Sequence, residues 1–111
     1  MLPLKNRLKL PSDFYKLKKF GKRVSNNYFS VSYITNDLIS NPEFSVIVSK
    51  LVAKKSNKRN KLKRKTKGLI LRNFNKLPKN ILCLVYPKVN SLSVKNKDLE
   101  VEFLKIFEQV R

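Results

Sequence analysis

Between Glu43 and Asp98 the chain has no acidic residue, yet that stretch carries 16 Lys or Arg. Any fold must leave those side chains in water or against an anion, because a buried, unpaired cation costs more than a small core returns. The constraint is tightest in NKRNKLKRKTKG, residues 57–68, where seven of the twelve positions are basic. From Lys58 to about Leu77 there is no Pro and a single Gly, and the apolar positions recur with a helical period. On a helical wheel Leu62, Thr66, Leu69, Ile70 and Leu77 share one arc. Arg59, Asn60, Lys63, Arg64 and Lys67 occupy an adjacent arc about 140° wide. One face of the predicted helix packs and its neighbour is cationic. Pro78 predicts the helix end, and Gly68 costs it about 1 kcal/mol for no reason visible in the sequence.

The whole chain is skewed the same way, with a formal net charge of +19 on 111 residues. The skew is segregated, since the last fourteen residues hold four acids against two basic residues. A solubilising surface would mix the signs, whereas clustered cations gain from phosphates through counterion release. Nucleic acid is therefore the first expected partner. The alternative is an anionic membrane surface, which calls for an amphipathic helix with apolar residues opposite its charges. A hydrophobic content of 41% beside 30% charged residues suits one globular domain spanning 1–111. The longest apolar run, ILCLVY at 81–86, is too short to span a membrane. MLPLKNRLKL at the start lacks the apolar middle of a secretory signal, so a cytoplasmic location is expected.

The remaining elements follow from spacing and punctuation. Ser12-Asp13 is an N-cap for a short helix over 13–20, with Phe14, Leu17 and Phe20 at helical spacing before Gly21. From Tyr28 to Ile34 the period is two, a strand. NDLISNP (36–42) is turn chemistry, and a second strand over 44–49 is expected to pair antiparallel with the first. Residues 80–86 read as a fully buried third strand closed by Pro87. Ser93 caps a last helix running to Val110, with Leu99, Phe103, Ile106, Phe107 and Val110 as its core stripe. The order α-β-β-α-β-α makes an α+β, two-layer sandwich with helices on one face of a three- or four-stranded sheet. Residues 7–10 are a candidate for an extra edge pairing.

Catalytic chemistry is poorly supplied. The chain has no His, and its one Cys, Cys83, lies in an apolar run and reads as a structural thiol. Two glycines cannot build a phosphate loop. Asp98 and Glu102 share a helix face, which reads as solvated rather than as a metal or acid–base pair. No small-molecule substrate is expected. Binding chemistry is better supplied: Arg and Lys with Asn60 among them can grip phosphates, and Phe14, Tyr28, Phe29 and Tyr33 offer rings for an unpaired strand. For Phe14 and Phe29 strand and helix spacing favours core packing over stacking, and for the two tyrosines neither reading prevails.

KRNKLKRKTKG (58–68) resembles the RNR signature of the bacterial ribonuclease P protein subunit, with Lys61 at its second Arg and Lys67 at the final basic slot. RLKLPSDFYKL (7–17), SVIVSK (45–50) and ILCLVYPK (81–88) resemble that family's other landmarks, in the same order. The resemblance implies a ribosomal-protein-like α+β sandwich with a left-handed βαβ crossover. It implies a protein that partners the ribonuclease P catalytic RNA in removing the 5′ leader of precursor tRNA. The chemistry, dependent on Mg2+ held mainly by the RNA and substrate, would belong to the RNA. Carried over by position, it implies RNA contacts from Arg59, Asn60, Lys61, Lys63, Arg64, Lys67 and Lys50. A leader-binding cleft would involve Phe14, Lys18 (where the family has a second aromatic) and, with a one-residue offset, Tyr33. A small ribosomal or ribosome-associated RNA-binding protein is the alternative.

Overall fold

The computed structural model describes residues 17, 19–39, 41–49 and 54–110. Four strands, β1 (Lys22–Ser25), β2 (Phe29–Thr35), β3 (Glu43–Val46) and β4 (Ile81–Pro87), form one sheet in the order β1-β2-β4-β3. Two helices, α1 (Ser56–Arg72) and α2 (Asn96–Glu108), cover one of its faces. The expected α+β sandwich is thus present, with four strands in a mixed sheet.

Register explains how the core is filled. Val24 lies opposite Val31, Val31 opposite Val85, and Val85 opposite Val46, so a row of valines crosses all four strands. The neighbouring row runs through Tyr33, Cys83 and Phe44. Onto this face α1 lays Leu62, Leu69 and Ile70, and α2 lays Leu99, Phe103, Ile106 and Phe107. Phe103 is the hinge of the aromatic packing, edge-on to Phe29 at 5.3 Å and to Phe107 at 5.0 Å between ring centres.

Several expectations are corrected. The strand containing Phe44 does not pair with β2; it lies parallel to β4, which inserts between the two. The reason is burial: β4 feeds apolar side chains to both faces and so takes the centre, while α1 supplies the crossover a parallel pair needs. Strand β1 was not anticipated, because Val24 is its one apolar residue. Nor do all helical segments share one face. Leu17, Lys19 and Phe20 are helical, and Leu17 packs with Leu84, Ile34, Ile47, Leu82 and Tyr86 on the opposite side of the sheet. The rest of the predicted first helix and the 7–10 pairing lie outside the described residues. Helix α1 ends at Arg72, short of Pro78, because the Asn73 side-chain amide turns back to donate to the Leu69 carbonyl at 2.9 Å. The chain then tightens into a 3-10 turn (Phe74–Lys76), whose Phe74 meets Phe44. Ser93 does not cap α2. Its Oγ donates to the Asn90 carbonyl inside another 3-10 segment (Val89–Ser93), and α2 starts after Lys95.

The two glycines differ in purpose. A Cβ at Gly21 would run into the carbonyl of Leu17, whereas one at Gly68 meets only the Arg72 guanidinium at 3.5 Å. Gly68→Ala should raise the unfolding free energy by about 0.5–1 kcal/mol, through helix propensity and a stiffer unfolded chain. Gly21→Ala should lower it by about 1–3 kcal/mol through overpacking. Urea titration of the two variants checks both signs.

Candidate nucleic-acid interface

Helix α1 has no acid along its 17 residues and eight Lys or Arg. Its buried positions are Leu62, Thr66, Leu69 and Ile70, with the Thr66 hydroxyl donating to the Leu62 carbonyl at 2.7 Å. The predicted stripe is observed, joined in the core by Leu77 from beyond the helix. With that face fixed inward, Asn60, Lys61 and Arg64 are exposed, and Arg59, Lys63 and Lys67 are partly exposed at the flanks. The structure therefore gathers six of the predicted RNA-contacting residues on little more than two turns of one helix. Lys50 lies outside the described residues.

Not every cation on α1 is available to a partner. The Lys65 ammonium donates to the carbonyls of Ser91 (2.9 Å) and Val94 (3.0 Å), tying the helix to the segment after β4. The Arg59 guanidinium donates to the Lys54 carbonyl at 2.8 Å and the Arg59 amide to that of Lys55, which steadies the first turn of a helix lacking a side-chain N-cap. Elsewhere Lys88 donates to the Asn26 carbonyl at 2.6 Å, while the Asn26 side-chain oxygen accepts from the amides of Tyr28 and Phe29. The Asn26 amide also reaches the Glu102 carbonyl, pinning the β1–β2 turn to α2.

The candidate cleft residues fare differently. Phe14 and Lys18 lie outside the described residues. Tyr33 is 4% exposed and belongs to the core beneath the helices, so it offers no ring to the opposite face. Strand parity is the cause: Phe29, Val31 and Tyr33 point one way, and Ser30, Ser32 and Ile34 the other. Phe29 is core as well, and Tyr28 packs against it partly buried. Among the described strand residues, Tyr86 is an aromatic on the face opposite the two long helices, missed because 80–86 read as a run buried on both sides. The Arg23 guanidinium lies over its ring, 5.4 Å from the centre. Burial pushes the Tyr86 hydroxyl above its ordinary pKa, with Arg23 pulling the other way.

Reactive chemistry is scarce at the interface. Cys83 is fully buried, and desolvation pushes its thiol far above the ordinary range, so it stays a neutral core group. Glu100 accepts a hydrogen bond from Asn73 at 2.7 Å, and Glu102 faces Lys105 at 3.5 Å. Among the described residues no group of three or more His, Cys, Asp or Glu is placed to hold a metal ion. No described helix is long and apolar enough to cross a membrane.

The chain matches the family described as Ribonuclease P over residues 2–111. It is 40% identical over 74 residues to a ribonuclease P protein component of Rippkaea orientalis, a match covering 62% of this chain and 58% of that protein. The corresponding protein of Thermotoga maritima is 33% identical over 84 residues, covering 76% of this chain and 70% of the relative. The fold is similar to the solved structure of RNase P protein from Thermotoga maritima, with a TM-score of 0.82, 27% identity and coverage of 95% and 97% of the two chains. It is also similar to that of Staphylococcus aureus RNase P protein, with a TM-score of 0.72, 21% identity and coverage of 92% and 97%.

The division of labour among the cations is measurable. Arg64→Ala should weaken RNA binding and reduce the slope of log affinity against log salt by about one, leaving the melting temperature unchanged. Lys65→Met should do the reverse, lowering stability by about 1–3 kcal/mol as two carbonyls lose their charged donor, with the salt slope retained. Cys83 should resist a thiol-specific disulfide reagent in the folded protein and react fully once urea unfolds it.

Proposed function

Because the chain belongs to the ribonuclease P protein family, we propose that it is the RNA-binding subunit of ribonuclease P. In this reading it assists the catalytic RNA in the endonucleolytic removal of the 5′ leader from precursor tRNA. The observation that carries the proposal is the acid-free cationic helix α1, held against the core by one narrow apolar stripe. Asn60, Lys61, Lys63, Arg64 and Lys67 grip phosphates of the catalytic RNA. Arg59 serves both the RNA and its own helix terminus, and Lys50 adds a further cation. Phosphate contacts of this kind fix register and orientation.

The reaction's chemistry falls to the RNA. The chain has no His, its thiol is sealed in the core, and Glu100 and Glu102 are engaged with Asn73 and Lys105. In this reading Mg2+ is held mainly by the RNA and substrate. The protein's contribution is binding: it lowers repulsion between two polyanions and holds the precursor where the RNA can act. The working location is the cytoplasm.

The test is cleavage of a 5′-extended precursor tRNA at low magnesium. The protein would be assayed alone, with a bacterial ribonuclease P RNA, and with an unrelated RNA of equal length. Cleavage appearing only with the ribonuclease P RNA is the expected result. No rescue, with equal affinity for both RNAs, would leave a general RNA-binding protein. Lys61→Glu with Arg64→Glu should reduce assembly with the catalytic RNA by at least about a hundredfold, since two phosphate contacts become repulsions. The double variant should keep the wild-type circular dichroism and melting temperature.

A further inference from the structure

Helix α1 contains one residue for which neither local propensity nor packing gives a reason. Gly68 sits in the helix interior, where glycine is the poorest choice after proline. Its φ is not positive, so the backbone there accepts any L residue. It is not wedged against a neighbouring element either, since a Cβ at this position would meet only the Arg72 guanidinium, at 3.5 Å. The missing side chain leaves a notch in the surface of the helix. Around that notch stand the residues three and four positions away, Arg64, Lys65, Leu71 and Arg72. Lys65 is turned aside to the Ser91 and Val94 carbonyls, and the other three are exposed. Leu71 is 43% exposed, an apolar side chain left in water on an otherwise cationic surface. Arg72 reaches back over Gly68, which brings its charge a turn nearer to Arg64 than the backbone spacing of about 12 Å alone would allow.

We propose that the Gly68 notch seats one ribose–phosphate unit of the catalytic RNA directly against the α1 backbone. This rests on the ribonuclease P reading above and deepens it, adding a contact beyond Lys67, the final basic slot of the signature. Arg64 and Arg72, one turn to either side, grip the phosphates that flank the ribose. Leu71 covers the carbon edge of the same sugar, so its exposed surface is buried on binding. Any side chain at position 68 would hold the strand away from the helix, lengthening the charged contacts on both sides. Proximity to the RNA then offsets what the glycine costs the free helix.

The competing view is that Gly68 is idle, a tolerated defect in the helix. The experiment measures binding of Gly68→Ala and Gly68→Leu to a bacterial ribonuclease P RNA, together with melting temperature and hydroxyl-radical protection of the RNA. Gly68→Ala should bind about tenfold more weakly than wild type although it melts higher. Gly68→Leu should bind more weakly still, and protection of one or two adjacent riboses should vanish while the rest of the footprint persists. Arg72→Ala should lower the slope of log affinity against log salt by about one, and Arg72→Lys should restore it. Because both residues serve one nucleotide, Gly68→Ala combined with Arg72→Ala should lose less than the product of the two single losses. A Gly68→Ala protein that melts higher, binds as tightly as wild type and keeps the whole footprint would overturn the notch. A footprint that fades evenly in Gly68→Leu would overturn it as well, since the loss would then belong to docking as a whole. Wild-type protein that binds an unrelated RNA of equal length as tightly, with no discrete protected riboses on either, would overturn the subunit reading and the notch together.

Discussion

Strand β4 is the element on which the rest of the molecule depends. It pairs antiparallel with β2 along seven positions and parallel with β3 along four, and it joins the antiparallel part of the sheet to the parallel strand. Its alternation serves two layers at once: Ile81, Cys83 and Val85 meet the two long helices, while Leu82, Leu84 and Tyr86 pack with Leu17 on the opposite face. A strand that must be apolar on both sides leaves no room for charge, which explains why an otherwise cation-rich chain has ILCLVYP uninterrupted here. The same insertion sets the position of α1. The parallel β3–β4 pair demands a crossover, and the crossover is the basic helix.

What could be read from the sequence was whatever depends on local period. The stripe Leu62, Thr66, Leu69 and Ile70 is set by the helix repeat alone, and so is its cationic flank; both are observed. The α2 stripe through Leu99, Phe103, Ile106 and Phe107 follows the same rule. Strand order was not legible, because nothing local distinguishes a strand that pairs with its predecessor from one that waits for β4. Edge strand β1 was hidden by polarity, since half-exposed edges need only one inward residue. Tyr33 shows the sharpest limit: in a strand a shift of one residue exchanges core for cleft, and only the register with Cys83 settles its face. The end of α1 falls at Asn73, whose side-chain amide serves both the Leu69 carbonyl and Glu100, 27 residues away, and the second partner is one that no local pattern discloses.

The cations divide into those that face a partner and those the fold uses itself. Lys65 and Lys88 satisfy backbone carbonyls far away in sequence, and Arg59 one nearby, so counting Lys and Arg overstates the surface free to meet phosphate. That internal use is part of the design. It lets a helix with a narrow apolar stripe stay attached to the core while its outward face repels itself. A stripe of four residues on 17 would otherwise be a weak hold for so much charge.

The charge partition between the two helices also bears on how the protein meets its partner in solution. Helix α1 carries eight basic residues and no acid, while α2, in the same layer, carries four acids and two lysines. In the field of a polyanion such a body feels a torque as well as an attraction, and it turns during approach so that α1 leads and α2 trails. Encounters then begin nearly aligned, and fewer collisions are wasted. The turning acts over about 8–10 Å at physiological ionic strength and fades as salt shortens that range. The acids of α2, two of which also bond Asn73 and Lys105, thereby act as a rudder for the free protein.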